Sequence, residues 1–342
     1  MSEHSADLYD ITFIGGGPTG LFGIFYAGMR HARTKVIESL PELGGQLTAL
    51  YPEKYIYDVG GFPEVLARDL VENLKKQAFT ANPDCTVCLG ERVIGLTREA
   101  DGTFTLTTDK GTHRSRAVII TAGIGGFEPN RLPNEDAQRF EGKGVWYNIP
   151  ELAWFQGKQV LVIGGGDSAV DYALMLEPIA RHVTLIHRRD GFRAHDASVK
   201  KLAESSVEVK LFYELKSLSG DGWVREATIF DNRTKEETTI PVDAVVIGTG
   251  FKASLGAIKD WGLEMKGNQI VVNSKGETNI PGVYAAGDIA WYPGKIRLIA
   301  TGFGEVATAV NNAKAFIDPG SAVFPGHSSE KSEEKKELSE KK

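Results

Sequence analysis

Short apolar runs closed by glycine recur along this chain of 342 residues. Ile11, Phe13 and Ile14 lead into Gly15-Gly16-Gly17, and Val118-Ile119-Ile120 into Thr121-Ala122-Gly123. Val160-Leu161-Val162-Ile163 lead into Gly164-Gly165-Gly166, and Val245-Val246-Ile247 into Gly248. Unbroken apolar runs of this length predict strands covered on both faces. The first and third are each followed by the small and apolar residues of a helix and then by another strand. Residues 64–79 carry Val65, Leu66, Leu70, Leu74 and Phe79 at helical spacing, which predicts an amphipathic helix. Residues 82–116 read as antiparallel strand material, with alternation at Phe104 and Leu106 and a hairpin signal at Asp101-Gly102. Further strands are expected at 207–212, 226–232, 244–248 and 283–290, and a last helix starting near Gly302 to Glu305.

Strand, glycine turn, helix, strand is the dinucleotide-binding unit, and it occurs twice. In the first, Gly15, Gly17 and Gly20 supply a tight turn and a backbone close enough to touch a pyrophosphate, with helix N–H groups aimed at the anion. Glu38 stands 23 positions after Gly15, at the strand tip where a carboxylate accepts from ribose hydroxyls. In the second, Gly164, Gly166, Asp167, Ser168 and Ala169 form the turn, and the residue 23 positions after Gly164 is His187. His187-Arg188-Arg189 thus replaces the acid, with Arg193 shortly after. A carboxylate would repel a 2′-phosphate, whereas a guanidinium binds one bidentately. The second unit is therefore expected to take NADP(H) and the first FAD. The fold class is α/β with two Rossmann-like domains. A change of texture at the Pro- and Gly-rich stretch after Gly123 places the plan as FAD domain 1–123, inserted NADPH domain 124–248, FAD domain again at 249–318, and an extension from 319 to 342 whose charged end is expected to be disordered.

The loop after Glu38 holds Gly44-Gly45-Gln46, where backbone can approach a flat ligand, and Tyr51 and Tyr57, either of which could stack on one. Asp288 follows an apolar strand and is placed to accept from a polyol hydroxyl. If the last helix points its N-terminus at the flavin pyrimidine edge, its partial positive charge favours the reduced anionic flavin. Cys85 and Cys88, the only cysteines, have redox-pair spacing but lie in a β-like run rather than at a helix N-terminus, so a working dithiol is not expected. A net charge of −6 argues against nucleic acid as the main partner. No apolar run reaches the roughly 18 residues of a membrane span and the first ten residues lack a signal-peptide core, so a cytoplasmic location and no membrane partner are expected. No metal site is expected.

With both turns, HRRDGFRA and AAGD read, the chain resembles the low-molecular-weight thioredoxin reductases, whose two domains are three-layer ββα units. It departs from them where their C-x-x-C precedes the second turn, since GVWYNIPELAWFQGK holds no cysteine. It is similar instead to the thioredoxin-reductase-like ferredoxin/flavodoxin–NADP+ reductases, through LYPEKYIYDVGGFP, GGGDSAVDYALMLEPIA, IATGFGEVATAVNNAKA and DPGSAVFPGHSSE. This resemblance implies that Thr19, Glu38, Gln46, Val93, Phe127, Asp288 and Ser329 contact FAD, that Tyr51 stacks on the flavin, and that His327 covers the flavin of a homodimer partner. It implies hydride exchange between NADPH and FAD and single-electron exchange with ferredoxin or flavodoxin, with no acid–base residue. Lys295 and Arg297 are candidates for a basic rim that would meet an acidic carrier. The alternatives are an NADPH-dependent disulfide reductase using Cys85 and Cys88, and a nonenzymatic NADP(H)-sensing flavoprotein.

Overall fold

The strands Leu8–Ile14 and Thr112–Ile120 run parallel down the middle of the first of two units in this computed structural model, which describes residues 8–149, 151–324 and 326. Among the described residues, this unit comprises those up to Thr48, Ile56–Gly126 and those from Ser254 onward; the second comprises Ala49–Tyr55 and those of Phe127–Ala253.

In the first unit the sheet order is Thr86–Cys88, Thr34–Ile37, Leu8–Ile14, Thr112–Ile120, Phe104–Thr108, Val93–Arg98. Thr112–Ile120 serves two partners along one edge. Its first half pairs antiparallel with Phe104–Thr108, and its last residues pair parallel with Val283–Ala285. Residues 82–116 are thus only partly antiparallel. Thr86–Cys88 pairs parallel with Thr34–Ile37, because the chain reaches it through the helix Ala67–Ala81 and re-enters the sheet from the same end. That helix starts later than its apolar spacing suggested, since Val65–Leu66 is extended and Leu66 is its N-cap. The helices Pro18–Met29 and Ile299–Ile317 pack on each other. The latter begins before the glycines expected to open it. Gly302 and Gly304 lie inside it, and a Cβ on Gly302 would come within 2.4 Å of Thr19 Oγ1.

The second unit holds an all-parallel sheet, Val145–Trp146, Ala244–Ile247, Gln159–Ile163, His182–His187, Glu208–Leu211. Its apolar runs are unbroken because both faces are covered. Val160, Val162, Leu185 and Val246 meet Val170, Ala173 and Leu202 of the helices Asp167–Leu176 and Asp196–Glu204. Leu161, Ile163, Ile186 and Val245 meet Leu218, Ala227 and Ile229 of a three-stranded antiparallel sheet, Tyr213–Ser219, Glu226–Asp231, Glu237–Pro241. Ala49–Tyr55 belongs here through side chains: Asn148 Nδ2 donates to Ala49 O (2.8 Å), Tyr172 Oη to Leu50 O (3.3 Å) and Lys54 Nζ to Asp171 Oδ2 (2.8 Å). No helix among the described residues is long and apolar enough to cross a membrane.

Candidate functional site

At the carboxyl end of Leu8–Ile14 the chain turns through Gly15, whose φ of +106° and whose approach to Thr121 leave no room for a side chain; a Cβ there would lie 2.6 Å from Thr121 O. Gly20 is held as tightly, 2.1 Å from Gly15 O by the same construction. Gly17 is different: its nearest neighbour at that position is Gly45 Cα at 3.9 Å, so its backbone forms an open lip. The helix Pro18–Met29 starts at this lip with a proline in its first turn, no side-chain cap and no acid beside its free N–H groups, an arrangement suited to an anion. Glu38 is buried with both oxygens engaged: Oε2 accepts from Gly16 N at 2.7 Å, and Oε1 from Leu40 N at 2.9 Å and Ser39 Oγ at 3.2 Å. A carboxylate offers about four acceptor directions, which leaves capacity for a ribose hydroxyl. The donor set and the uncapped helix fit a dinucleotide pyrophosphate and its ribose.

Thr19 joins three elements. Its Oγ1 would lie 2.4 Å from a Cβ on Gly302 and 2.8 Å from one on Gly287, so the starts of both helices and the turn bearing Asp288 meet around it. Asp288 is held above the usual carboxylate range by burial, which Lys295 and Arg297 oppose and Glu305 reinforces. The Gln46 amide lies beside Gly123, 3.4 Å from the position of a Cβ there. Val93 is a core residue, packed in the cluster that includes Ile14 and Ile37. The side chain of Phe127, and all of His327 and Ser329, lie outside the described residues. Tyr51 is found with the second unit, lining a cavity of about 210 Å³ with Asp167, Ser168, Tyr172 and Phe251. Tyr57, the alternative ring, is 67% exposed.

The second turn repeats the plan with different side chains. Gly164 would meet Gly248 O at 2.4 Å, while Gly166 has nothing within 4 Å and opens onto the uncapped start of Asp167–Leu176. Arg193 N donates to Gly165 O (2.7 Å) and Asp167 Oδ1 accepts from His195 N (2.8 Å), which ties the arginine segment to the turn. His187 is buried, its ring stacked on Phe192 with centroids 5.5 Å apart and laid over Gly165, where a Cβ would come within 2.5 Å of three ring atoms. Burial holds its pKa below the ordinary histidine value; a backbone hydrogen bond with Gly191 opposes this and the charges of Arg188, Arg189 and Arg193 add to it. The imidazole is therefore neutral at pH 7, and its Nε2 has no hydrogen-bond partner among the described residues. Ala169 is likewise buried, against Gly248. His187 and Ala169 thus shape the turn from behind. Arg188, Arg189 and Arg193 are exposed, and no carboxylate among the described residues pairs with them.

Cys88 closes the edge strand, with Cys85 just before its start. Burial pushes the Cys85 thiol up to about 11, and raises that of Cys88 as well. Neither is poised as a thiolate. Cys88, Glu91 and His113 bring ligand atoms within 4.8 Å of one another, and among the described residues this is the one grouping that could hold a metal ion. Its polarity is wrong for one. Lys35 Nζ lies 2.7 Å from His113 Nδ1, and an ammonium only donates, so the proton sits on Nε2 and goes to Glu91 Oε1 at 2.7 Å. Metal on Nε2 would force a proton onto Nδ1, facing that ammonium. Lys295 is corrected as a rim residue: its side chain is 4% exposed and paired with Glu305, whereas Arg297 is exposed. Glu305 itself was not singled out from sequence, because a lone acid in a helix otherwise rich in small and apolar residues carries no signature.

The model of the pyridine nucleotide-disulphide oxidoreductase family matches residues 9–313. The chain is 72% identical to a protein named ferredoxin–NADP reductase from Symbiobacterium thermophilum, over 95% of this chain and 97% of that one. It is 60% identical to one of the same name from Halalkalibacterium halodurans, over 94% and 97%. Among solved structures, the thioredoxin reductase of T. acidophilum superposes with a TM-score of 0.70 at 26% identity, covering 90% of this chain and 98% of that one. Two glycine turns, one tipped by a carboxylate and one by arginines, are therefore those of an oxidoreductase: the chain belongs to the pyridine nucleotide-disulphide oxidoreductase family, and within it is similar to the proteins named ferredoxin–NADP reductase.

Proposed function

We propose that this protein is a ferredoxin/flavodoxin–NADP+ reductase with FAD in the first unit and NADP(H) in the second. The observation that carries the reading is identity of 56% to 72%, over at least 94% of the chain, to proteins bearing the ferredoxin–NADP reductase name. When bound, FAD supplies the conversion between the two-electron chemistry of a nicotinamide and the one-electron chemistry of an iron–sulfur carrier. The protein's residues bind and orient. Glu38 takes the ribose, the uncapped start of Pro18–Met29 the pyrophosphate, and Asp288 a ribityl hydroxyl. Gln46, Val93 and Phe127 border the ring system and adenine. Arg188, Arg189 and Arg193 hold the 2′-phosphate, and the open backbone of Gly166 with Asp167 and Ser168 holds the second pyrophosphate. Tyr51 and, from a partner subunit, the segment of His327 and Ser329 cover the flavin faces in a homodimer. No acid–base residue is required.

The state of the thiols weighs against a disulfide reductase. Two thiols raised by burial on an edge strand offer no relay. The test is steady-state turnover under NADPH with ferredoxin, flavodoxin and thioredoxin compared side by side, in the wild type and in C85S/C88S. Turnover of ferredoxin or flavodoxin, within about twofold in the two proteins, supports the reading. Reduction of thioredoxin that disappears in C85S/C88S would replace it with the disulfide reductase, and flavin reduction without turnover of any acceptor would favour a nonenzymatic sensor.

A further inference from the structure

The ion pair between Lys295 and Glu305 has no place in the nucleotide contacts above. Both side chains are almost removed from solvent, at 4% and 13% exposure. Their partners converge on one residue, Gly287, through the peptide groups on either side of its Cα. Glu305 Oε2 accepts from Gly287 N at 2.8 Å, and Lys295 Nζ donates to Gly287 O at 3.1 Å as well as to Glu305 Oε1. Tyr292 Oη donates to Glu305 Oε1 at 2.7 Å. The two members of the pair therefore grip Gly287 by its N–H and by its C=O. Gly287 has φ of +79°, and a Cβ there would lie 2.8 Å from Thr19 Oγ1. The gripped residue is the one that sets the direction of Asp288 and the closeness of that turn to Thr19.

A buried ion pair is a poor way to add stability, because desolvation of both charges offsets most of their attraction. Its geometry is what it can contribute. It also fixes the charge beside Asp288. The charged and titratable groups that bear on Glu305 and Asp288 are Lys295 from the same loop, Arg297 just before the last helix, Tyr292, and the two carboxylates themselves. With Lys295 present the carboxylates face two cations. Without it, two acids share a largely buried site with one cation, and such a pair takes up a proton more readily as pH falls.

We propose that Lys295 and Glu305 are positioning residues of the flavin site: they clamp Gly287 by its N–H and its C=O so that the Asp288 side chain is presented to the polyol chain of FAD. This rests on the reading that the first unit binds FAD.

The test is FAD affinity of the apoprotein from pH 6 to 9, followed by quenching of flavin fluorescence, for wild type, Lys295→Arg, Lys295→Met and Lys295→Met/Glu305→Gln. Wild type and Lys295→Arg are expected to bind within a few-fold of each other, with the same shallow pH dependence. Lys295→Met should bind roughly ten- to a hundred-fold more weakly at pH 8, the loss expected for one charged hydrogen-bonding partner. It should recover part of that loss toward pH 6, as the unpaired carboxylate takes up a proton. The double variant should bind more tightly than Lys295→Met at pH 8 and lose the added slope, because the uncharged carboxamide still accepts from Gly287 N through its oxygen and donates to Tyr292 Oη through its NH2. A Lys295→Met protein with the wild-type constant and slope would overturn the assignment, as would a weakened one whose loss is independent of pH and unrelieved by Glu305→Gln. Should Lys295→Met not fold, Glu305→Gln alone decides: the assignment expects weaker binding than wild type, and unchanged affinity overturns it. Wild-type apoprotein that takes up no FAD would instead remove the underlying reading.

Discussion

The two glycine turns share a backbone and differ in the chemistry around it. In the first, the residue behind the middle glycine is Glu38, an ionisable acceptor bonded to Gly16 N; in the second it is His187, whose imidazole is packed against Gly165. The first acid braces the turn itself, and under the proposed function it would also take the ribose. The second turn separates those jobs, with His187 filling the wall and the exposed arginines after it free for the proposed 2′-phosphate. A second exchange lies on the opposite side of each turn. Gly20 in the first helix faces Thr121, whereas Ala169 in the second faces Gly248, so the methyl group lost on one element is balanced by a side chain on the other. Polarity was therefore altered in front of the turn while volume was conserved behind it.

The largest effect that would break this comparison comes from the arginines. Replacing Arg188, Arg189 and Arg193 together by Ala should lower kcat/KM for NADPH by roughly a hundred-fold or more, since each charged contact is worth about 1.5–3 kcal/mol, and change that for NADH little. Steady-state kinetics with both nucleotides read it directly. Next in size is Gly20→Ala. Its methyl would enter at 2.1 Å from Gly15 O, and overpacking of that kind costs about 1–3 kcal/mol or more, visible as a lower Tm and weaker FAD retention. The mirror change, Ala169→Gly, removes a methyl without a clash and should cost about 1 kcal/mol through helix propensity. Equal losses from the two would show that the exchange of volume is not the organising feature.

The smallest effect concerns pH. His187 has a folded pKa below its unfolded value, so below about pH 6.5 the unfolded chain binds more protons than the folded one. Stability contributed by the neutral ring is present above that pH and is lost as pH falls toward the folded pKa. Denaturant midpoints should accordingly decline between pH 7 and 5.5, more steeply in wild type than in His187→Gln. The same slope in both would mean that the ring over Gly165 is not the titrating group.

Legibility followed physical locality. Both turns and their helices could be read because each depends on residues a few positions apart, and the acid-versus-arginine distinction because it falls at one fixed spacing, 23 positions from the first glycine, within a single unit. What escaped was set by distant partners. The sequence context of Lys295 looks like a surface loop, and only its pairing with Glu305 ten positions on buries it. Thr86–Cys88 reads as antiparallel because alternation is blind to strand direction, which the preceding helix determines. Ala49–Tyr55 carries no mark of its attachment to the second unit, since the bonds that hold it come from Asn148, Asp171 and Tyr172. Ala169 and His187 fall inside the motif expected to touch nucleotide, yet their side chains point into packing that spacing alone does not reveal.

Selection of different nucleotides by the two turns is read out by anaerobic reduction of the bound flavin by NADPH and by NADH, at matched concentrations in a stopped-flow instrument. Rapid bleaching by NADPH is expected, with reduction by NADH slower by about two orders of magnitude at subsaturating nucleotide, as loss of the charged contacts to a 2′-phosphate implies. Equal rates with the two nucleotides, or a protein that retains no flavin to bleach, would contradict it.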